Sequence, residues 1–207
     1  MAFQSFASER FWLRFNGTTG APLGVFASGG GLIGPRGVIF HGGNLFVSSL
    51  GSNQVWEYNG TTGAFMTAFA QGGGLDGPSG LVFGPDGNLY VSSLNGNQEL
   101  RYNGTTGAFL GVFASGGGLS SPRGLFFGPD GNLYVSSAAT NNVLRYNGTT
   151  GAFIDVFASG GINLAGYIAI DPQAIQVTPE PSTLPLSAAG LLLLVSGGVA
   201  SRLRFRS

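Results

Sequence analysis

Apolar and polar positions alternate along most of this chain, and Gly, Pro, Asn or Asp interrupts the alternation every few residues. Gly80-Leu-Val-Phe83 is a short apolar run. Gly84-Pro-Asp-Gly-Asn88 then supplies the residues of a tight turn. Leu89-Tyr-Val-Ser-Ser93 follows, so the two runs predict a hairpin. Gln98-Glu-Leu-Arg-Tyr102 alternates as a half-buried strand does. Asn103-Gly104 turns the chain again into Ala108–Ala114. The pattern therefore predicts four strands joined by tight turns. Helical periodicity is missing from this unit, and its glycines and β-formers oppose a helix.

The unit repeats. Asn-Gly-Thr-Thr-Gly begins at Asn16, Asn59, Asn103 and Asn147, at intervals of 43, 44 and 44 residues. Pro-x-Gly recurs in the same register at Pro35, Pro78 and Pro122. Phe-Ala-Ser-Gly-Gly recurs at Phe26, Phe113 and Phe157, with Phe-Ala-Gln-Gly-Gly at Phe69. A period of about 40–45 residues is the length of one four-stranded propeller blade. A β-helix solenoid is the rival repeat fold, but two hairpins per period fit a radial blade better. The expected fold class is all-β: a β-propeller of four-stranded antiparallel blades, followed by one C-terminal hydrophobic helix.

The segment Pro122-Arg-Gly-Leu-Phe-Phe-Gly-Pro-Asp-Gly-Asn-Leu-Tyr-Val-Ser-Ser137, with Asn142-Val-Leu-Arg-Tyr146, resembles an NHL repeat. It is also similar to blades of the gluconolactonase-like and streptogramin-lyase-like propellers. The resemblance spans residues 11–177 and implies a fold, since these families share blade grammar across unrelated activities. Three full blades run from Pro35 to about Gly161. Phe11–Ala27 supplies the last two strands of an earlier blade, and Gly166–Val177 reads as a hairpin of a later one. Two arrangements follow: the half blades pair and close a ring of four, or the chain is a truncated larger propeller. Residues 1–10 lack the pattern of a secretory signal peptide and read as a remnant of a preceding blade.

Composition changes after Val177. Residues 178–183, Thr-Pro-Glu-Pro-Ser-Thr, form a stiff linker; 184–201 are apolar enough to predict a transmembrane helix; and 202–207 carry Arg202, Arg204 and Arg206. Basic residues after such a helix stay on the cytoplasmic side. This order resembles the PEP-CTERM sorting signal, with Pro179, Glu180 and Pro181 matching its signature and the three arginines its basic tail. The resemblance implies export, passage through the inner membrane, cleavage by a partner protease of the exosortase type, and arrival at the surface of an exopolysaccharide-making bacterium. An ordinary tail anchor is the simpler alternative.

Charge and residue usage narrow the chemistry. The formal net charge is zero, only 9% of residues are charged, and all nine basic residues are Arg. A nucleic-acid partner is not expected, because it needs a basic face. With 17 Phe the chain is not disordered despite its 38 Gly. There is no Cys, which excludes disulfides and thiolate metal sites.

Four Asn-Gly-Thr sequons fit glycosylation, but Asn-Gly at one repeated position is first of all a hairpin turn. Asp86 and Asp130 sit in turns that need them for turn chemistry more than for calcium. No metal and no cofactor are expected. His41 is the sole histidine and has no identifiable catalytic partner. Arg36 and Arg123 follow the Pro of their blades, where Ser79 stands in the middle one, and they either line a central channel or are solvated. The expected function is an exported, non-enzymatic binding or structural module of the cell surface or matrix, with exopolysaccharide or another surface protein as ligand. The alternative is a propeller hydrolase or lyase whose active site is lost or unrecognised.

Overall fold

The computed structural model describes residues 2–4, 11–160, 166–170, 192–196 and 199–200. Three four-stranded antiparallel sheets carry the repeat. Blade I holds β4 (Pro35–His41), β5 (Asn44–Ser49), β6 (Gln54–Asn59) and β7 (Phe65–Gln71). Blade II holds β8 (Pro78–Phe83), β9 (Leu89–Ser93), β10 (Gln98–Tyr102) and β11 (Phe109–Ser115). Blade III holds β12 (Pro122–Phe127), β13 (Leu133–Ser137), β14 (Asn142–Tyr146) and β15 (Phe153–Ser159). In each blade the strands lie side by side in chain order. The first strands β4, β8 and β12 pack against one another in succession. They form the inner wall, and β7, β11 and β15 form the outer edge.

The burial of each strand follows from that placement. The second strand, such as Leu89–Ser93, is buried along its whole length because blades cover it on both faces. The outer strands β7 and β11 expose their first half and bury the Phe-Ala of the second, as at Phe113 and Ala114, whereas Phe157 of β15 is exposed. Between blades I and II lies a cluster that includes Phe46, Val55, Leu81, Leu89, Val91, Leu100 and Tyr102. Each fully buried Leu or Val there contributes roughly 1.5–3 kcal/mol. Tyrosine hydroxyls tie each third strand to the loop of the preceding blade. Tyr58 donates to the Gly29 carbonyl at 3.1 Å, Tyr102 to Gly72 at 2.9 Å and Tyr146 to Gly116 at 2.9 Å. Burial pushes the Tyr58 hydroxyl up to about 12, so it stays a donor.

The Asn-Gly-Thr-Thr-Gly repeat has a packing cause. The Asn103 carboxamide oxygen accepts the amides of Thr105 and Thr106 at 2.9 and 2.8 Å, and Asn16, Asn59 and Asn147 do the same in their turns. A Cβ on Gly104 would overlap the Gly87 carbonyl of the same blade. A Cβ on Gly107 would overlap the Phe69 carbonyl of the blade before, and Gly107 lies at φ +69°. Both glycines are therefore required, the second one twice over.

The flanks differ from the sequence expectation. The first sheet has three strands: β1 (Ala2–Gln4) pairs with β2 (Phe11–Phe15), which pairs with β3 (Pro22–Ser28). Part of the presumed remnant 1–10 is thus a strand of this sheet. At the other flank, β16 (Tyr167–Ile170) packs beside β12 as the next inner strand. Among the described residues it pairs with β17 (Leu192–Ser196), which pairs in turn with β18 (Val199–Ala200), and the predicted return arm, 171–177, lies outside the described residues. The two flanking sheets do not merge into one blade among the described residues.

Of the segment 184–201, where a membrane helix is expected, only β17 and β18 are described, and they are strands. Among the described residues no helix is long and apolar enough to cross a membrane. The linker 178–183 and the basic tail 202–207 lie outside the described residues.

Candidate functional site

The inner strands carry a repeated irregularity. In β4 the register with β5 jumps between Pro35 and Val38, leaving Arg36 and Gly37 as a bulge. The same jump leaves Ser79-Gly80 in β8 and Arg123-Gly124 in β12. Bulges re-aim side chains and recur beside binding sites. The glycines permit close packing of successive inner strands: a Cβ on Gly37 would overlap the Ser79 carbonyl, and one on Gly80 the Arg123 carbonyl. Buried serines brace the bulges. The Gly37 amide donates to Ser48 Oγ at 2.7 Å, and Ser48 Oγ donates to the Ser79 carbonyl at 2.5 Å. Ser136 makes the equivalent bridge from Gly124 to Gly166 at 2.8 and 2.5 Å.

A cavity of about 260 Å³ lies against these bulges, lined by Trp12, Arg36, Gly37, Val38, Gly80, Leu81, Gly124, Leu125 and Ile168. Its walls are apolar side chains and glycine backbone, and its polar side-chain groups are donors. Arg36 is exposed and makes no ion pair or side-chain hydrogen bond among the described residues. Trp12 is 4% exposed, and its buried indole Nε1 has no partner. Arg123, one residue before the lining Gly124, has its Nε buried without a partner. Among the described residues no carboxylate lines the cavity.

The acidic groups are elsewhere and engaged. Asp86 accepts the Asn88 amide at 3.1 Å, Asn88 Nδ2 at 2.7 Å and the Tyr90 hydroxyl at 2.9 Å, with Arg101 at 4.0 Å. Burial opposes its charge, but the hydrogen bonds from Asn88 and Tyr90 and the nearby Arg101 outweigh that and hold it below the ordinary carboxylate range. Asp130 repeats the arrangement with Asn132, Tyr134 and Arg145. Arg145 also clasps Asp155 with two hydrogen bonds, at 3.1 and 2.5 Å. These are turn and wall contacts, as the turn reading of Asp86 and Asp130 expects. Among the described residues no group of three or more acids, His or Cys is placed to hold a metal.

His41 lies at the far end of β4 from Arg36, stacked on Phe83 of the next blade with ring centroids 3.7 Å apart. The sorting residues Pro179, Glu180, Pro181, Arg202, Arg204 and Arg206 lie outside the described residues.

One carboxyl escaped the sequence reading. Glu99 is wholly buried in the slot that Val55 and Val143 fill in the other blades. Ser92 Oγ donates to its Oε2 at 3.0 Å instead of bracing the bulge, and Oε1 has no partner. Burial pushes the carboxyl up to about 8, countered only in part by Ser92. The signal was an acid one position out of step in a strand that otherwise alternates.

With this geometry the likeness to solved structures has a clear reading. A nidogen/laminin complex shares 20% identity at a TM-score of 0.63, covering 75% of this chain and 58% of that one. Virginiamycin B lyase from Staphylococcus aureus shares 17% identity at 0.59, covering 77% and 52%. Hydrazine synthase of Kuenenia stuttgartiensis shares 17% at 0.58, covering 69% and 40%. The fold is a β-propeller. These likenesses show the fold alone, and the chain spans about half the length of these three structures. No protein-family model matches the chain, and no curated protein does.

Proposed function

We propose that this chain is an exported bacterial binding module of the cell surface or extracellular matrix, and that it acts without catalysis. The observation that carries the reading is the division of its polar groups. Asp86, Asp130, Asp155, Arg101 and Arg145 are spent on turns and blade walls, while Arg36 and Trp12 keep unspent donors in the lining of the central cavity and Arg123, beside the lining Gly124, keeps another. The rival reading is a propeller hydrolase or lyase, like the lyase among the similar folds. It needs an acid or base at the channel, and His41, the only histidine, stands about 16 Å along β4 from Arg36.

Residues 178–207 are, in this reading, a PEP-CTERM sorting segment, with Pro179-Glu-Pro181 recognised by a membrane protease of the exosortase type. The protein passes the inner membrane through 184–201 and is then released to the surface, where exopolysaccharide is the expected ligand and nucleic acid is not.

The test uses the full chain with a secretory signal peptide supplied, in an exosortase-positive host. The mature protein should lack residues 184–207 by intact mass and should stay with the extracellular matrix without shortening its glycans. Replacing Pro179-Glu-Pro181 by Ala should leave insertion intact and stop release. A mature chain that keeps Arg202, Arg204 and Arg206 marks a permanent anchor instead, and glycan fragments accumulating with time mark an enzyme.

A further inference from the structure

We infer that the central cavity is a binding site for one carboxylate-bearing sugar residue of a polysaccharide, held by Arg36, Arg123 and the Trp12 indole. The inference rests on the binding-module reading and gives its site a ligand class. Three observations converge. The first is the one-sided chemistry of the cavity. Its backbone amides at Gly37 and Gly124 are consumed by Ser48 and Ser136, and its side-chain polar groups are N–H donors, with no carboxylate in the lining among the described residues. A site made of donors selects a ligand that brings acceptors, and guanidinium selects an anion.

The second observation is the lack of internal partners. Among the five described arginines, Arg14 lies over Phe26 at 5.0 Å, Arg101 beside Asp86 and Arg145 against Asp155. Arg36 and Arg123 alone among them lack such a partner, and both occupy the same bulge position on inner strands either side of β8. The donors Trp12 Nε1 and Arg123 Nε are buried without partners, as is the Nε of Arg14 over Phe26, although buried polar groups are normally paired. A ligand acceptor supplies what the fold withholds.

The third observation is size and wall. At about 260 Å³ the cavity falls under the roughly 300 Å³ at which pockets for drug-sized ligands begin, which suits a single sugar ring. Trp12, Val38, Leu81, Leu125 and Ile168 offer C–H and aromatic surface to the apolar faces of such a ring. The Arg36 guanidinium in the lining, with Arg123 beside it, suits a carboxylate. The two do not suit a polyphosphate backbone, which calls for a continuous basic groove.

The experiment is calorimetric titration of the full chain in neutral detergent with three probes: an oligomer of glucuronic acid, the same oligomer with its carboxyls reduced to hydroxymethyl groups, and inorganic phosphate. The acidic oligomer should bind at least about tenfold more tightly than its reduced counterpart, since charged hydrogen bonds are lost with the carboxyl. Arg36→Ala and Arg123→Ala should each weaken the acidic oligomer by about tenfold or more while the melting curve is unchanged, and Arg36→Lys should fall between.

Equal affinity for the acidic and reduced oligomers overturns the inference and leaves the binding-module reading in place. So does phosphate competing as well as the sugar acid, or undiminished affinity in the Arg36→Ala/Arg123→Ala double variant. Failure of all three probes, with matrix retention of the whole protein persisting, overturns the cavity assignment alone. Failure of retention as well overturns both readings.

Discussion

The two ends of the blades treat polar groups in opposite ways. At the turn end, Asp86, Asn88, Tyr90 and Arg101 satisfy one another, Asp130 repeats the set in blade III, and Asn103 caps its own turn. At the bulge end, Ser48 and Ser136 satisfy the backbone, yet Arg36, Arg123 and Trp12 are left with free donors beside a cavity. The turn end shared by blades II and III reads as scaffold. The proposed function places the ligand where repeat positions vary, as Arg36, Ser79 and Arg123 do.

If that division is right, substitutions at the turn end change stability and those at the bulge end change binding. The largest effect should come from Gly107→Ala, which combines positive φ with overlap of the Phe69 carbonyl. We expect a loss of about 3 kcal/mol or more by urea unfolding. A loss under about 1 kcal/mol would remove the packing explanation of the repeat motif.

Next in size is Glu99, an exception inside the scaffold. Its ordinary value is near 4.5 and its folded value about 8. Between those values the folded state holds a proton that the unfolded chain has released, so its contribution to stability is full below about 4.5, declines as pH rises, and is gone above about 8. Glu99→Val restores the residue of the other blades. It should flatten this slope and gain on the order of 3 kcal/mol at pH 9, with little gain at pH 4. Equal melting-temperature gains at both pH values would show that Glu99 is not the titrating group.

A smaller effect is expected at Asp130, whose folded value is lowered, so its contribution is present above the ordinary carboxylate range and lost as pH falls through the folded value. Asp130→Asn should cost about 1 kcal/mol at pH 7 and progressively less as the pH falls below the ordinary carboxylate range, since its ion pair is partly exposed. The smallest stability change belongs to Arg36→Ala, at most about 0.5 kcal/mol, because no internal partner is lost. A larger cost in chemical unfolding would mean that Arg36 serves the scaffold.

Much of the scaffold is readable in the sequence, because the Asn-Gly-Thr-Thr-Gly turn is dictated by local carbonyls that recur every blade. The bulge is only half readable. Pro-x-Gly marks its place, but the register jump depends on the serine bridges between blades, which couple residues such as Ser48 and Ser79 that are 31 apart in the chain. Glu99 was hidden because its burial is set by blade III rather than by its own strand. The pairing of Tyr167–Ile170 with Leu192–Ser196 was hidden too, because an apolar Leu-Leu-Leu-Val run satisfies a strand edge as well as a membrane helix.

The central claim is that the ligand enters at the bulges and not at the turns. A crystal structure of the full chain with the glucuronic acid oligomer tests it most directly. The account predicts a carboxylate within hydrogen-bonding distance of Arg36 or Arg123 and a sugar ring against Trp12. An oligomer seated instead on the turns around Asp86 and Asp130, with the cavity unchanged, would contradict it.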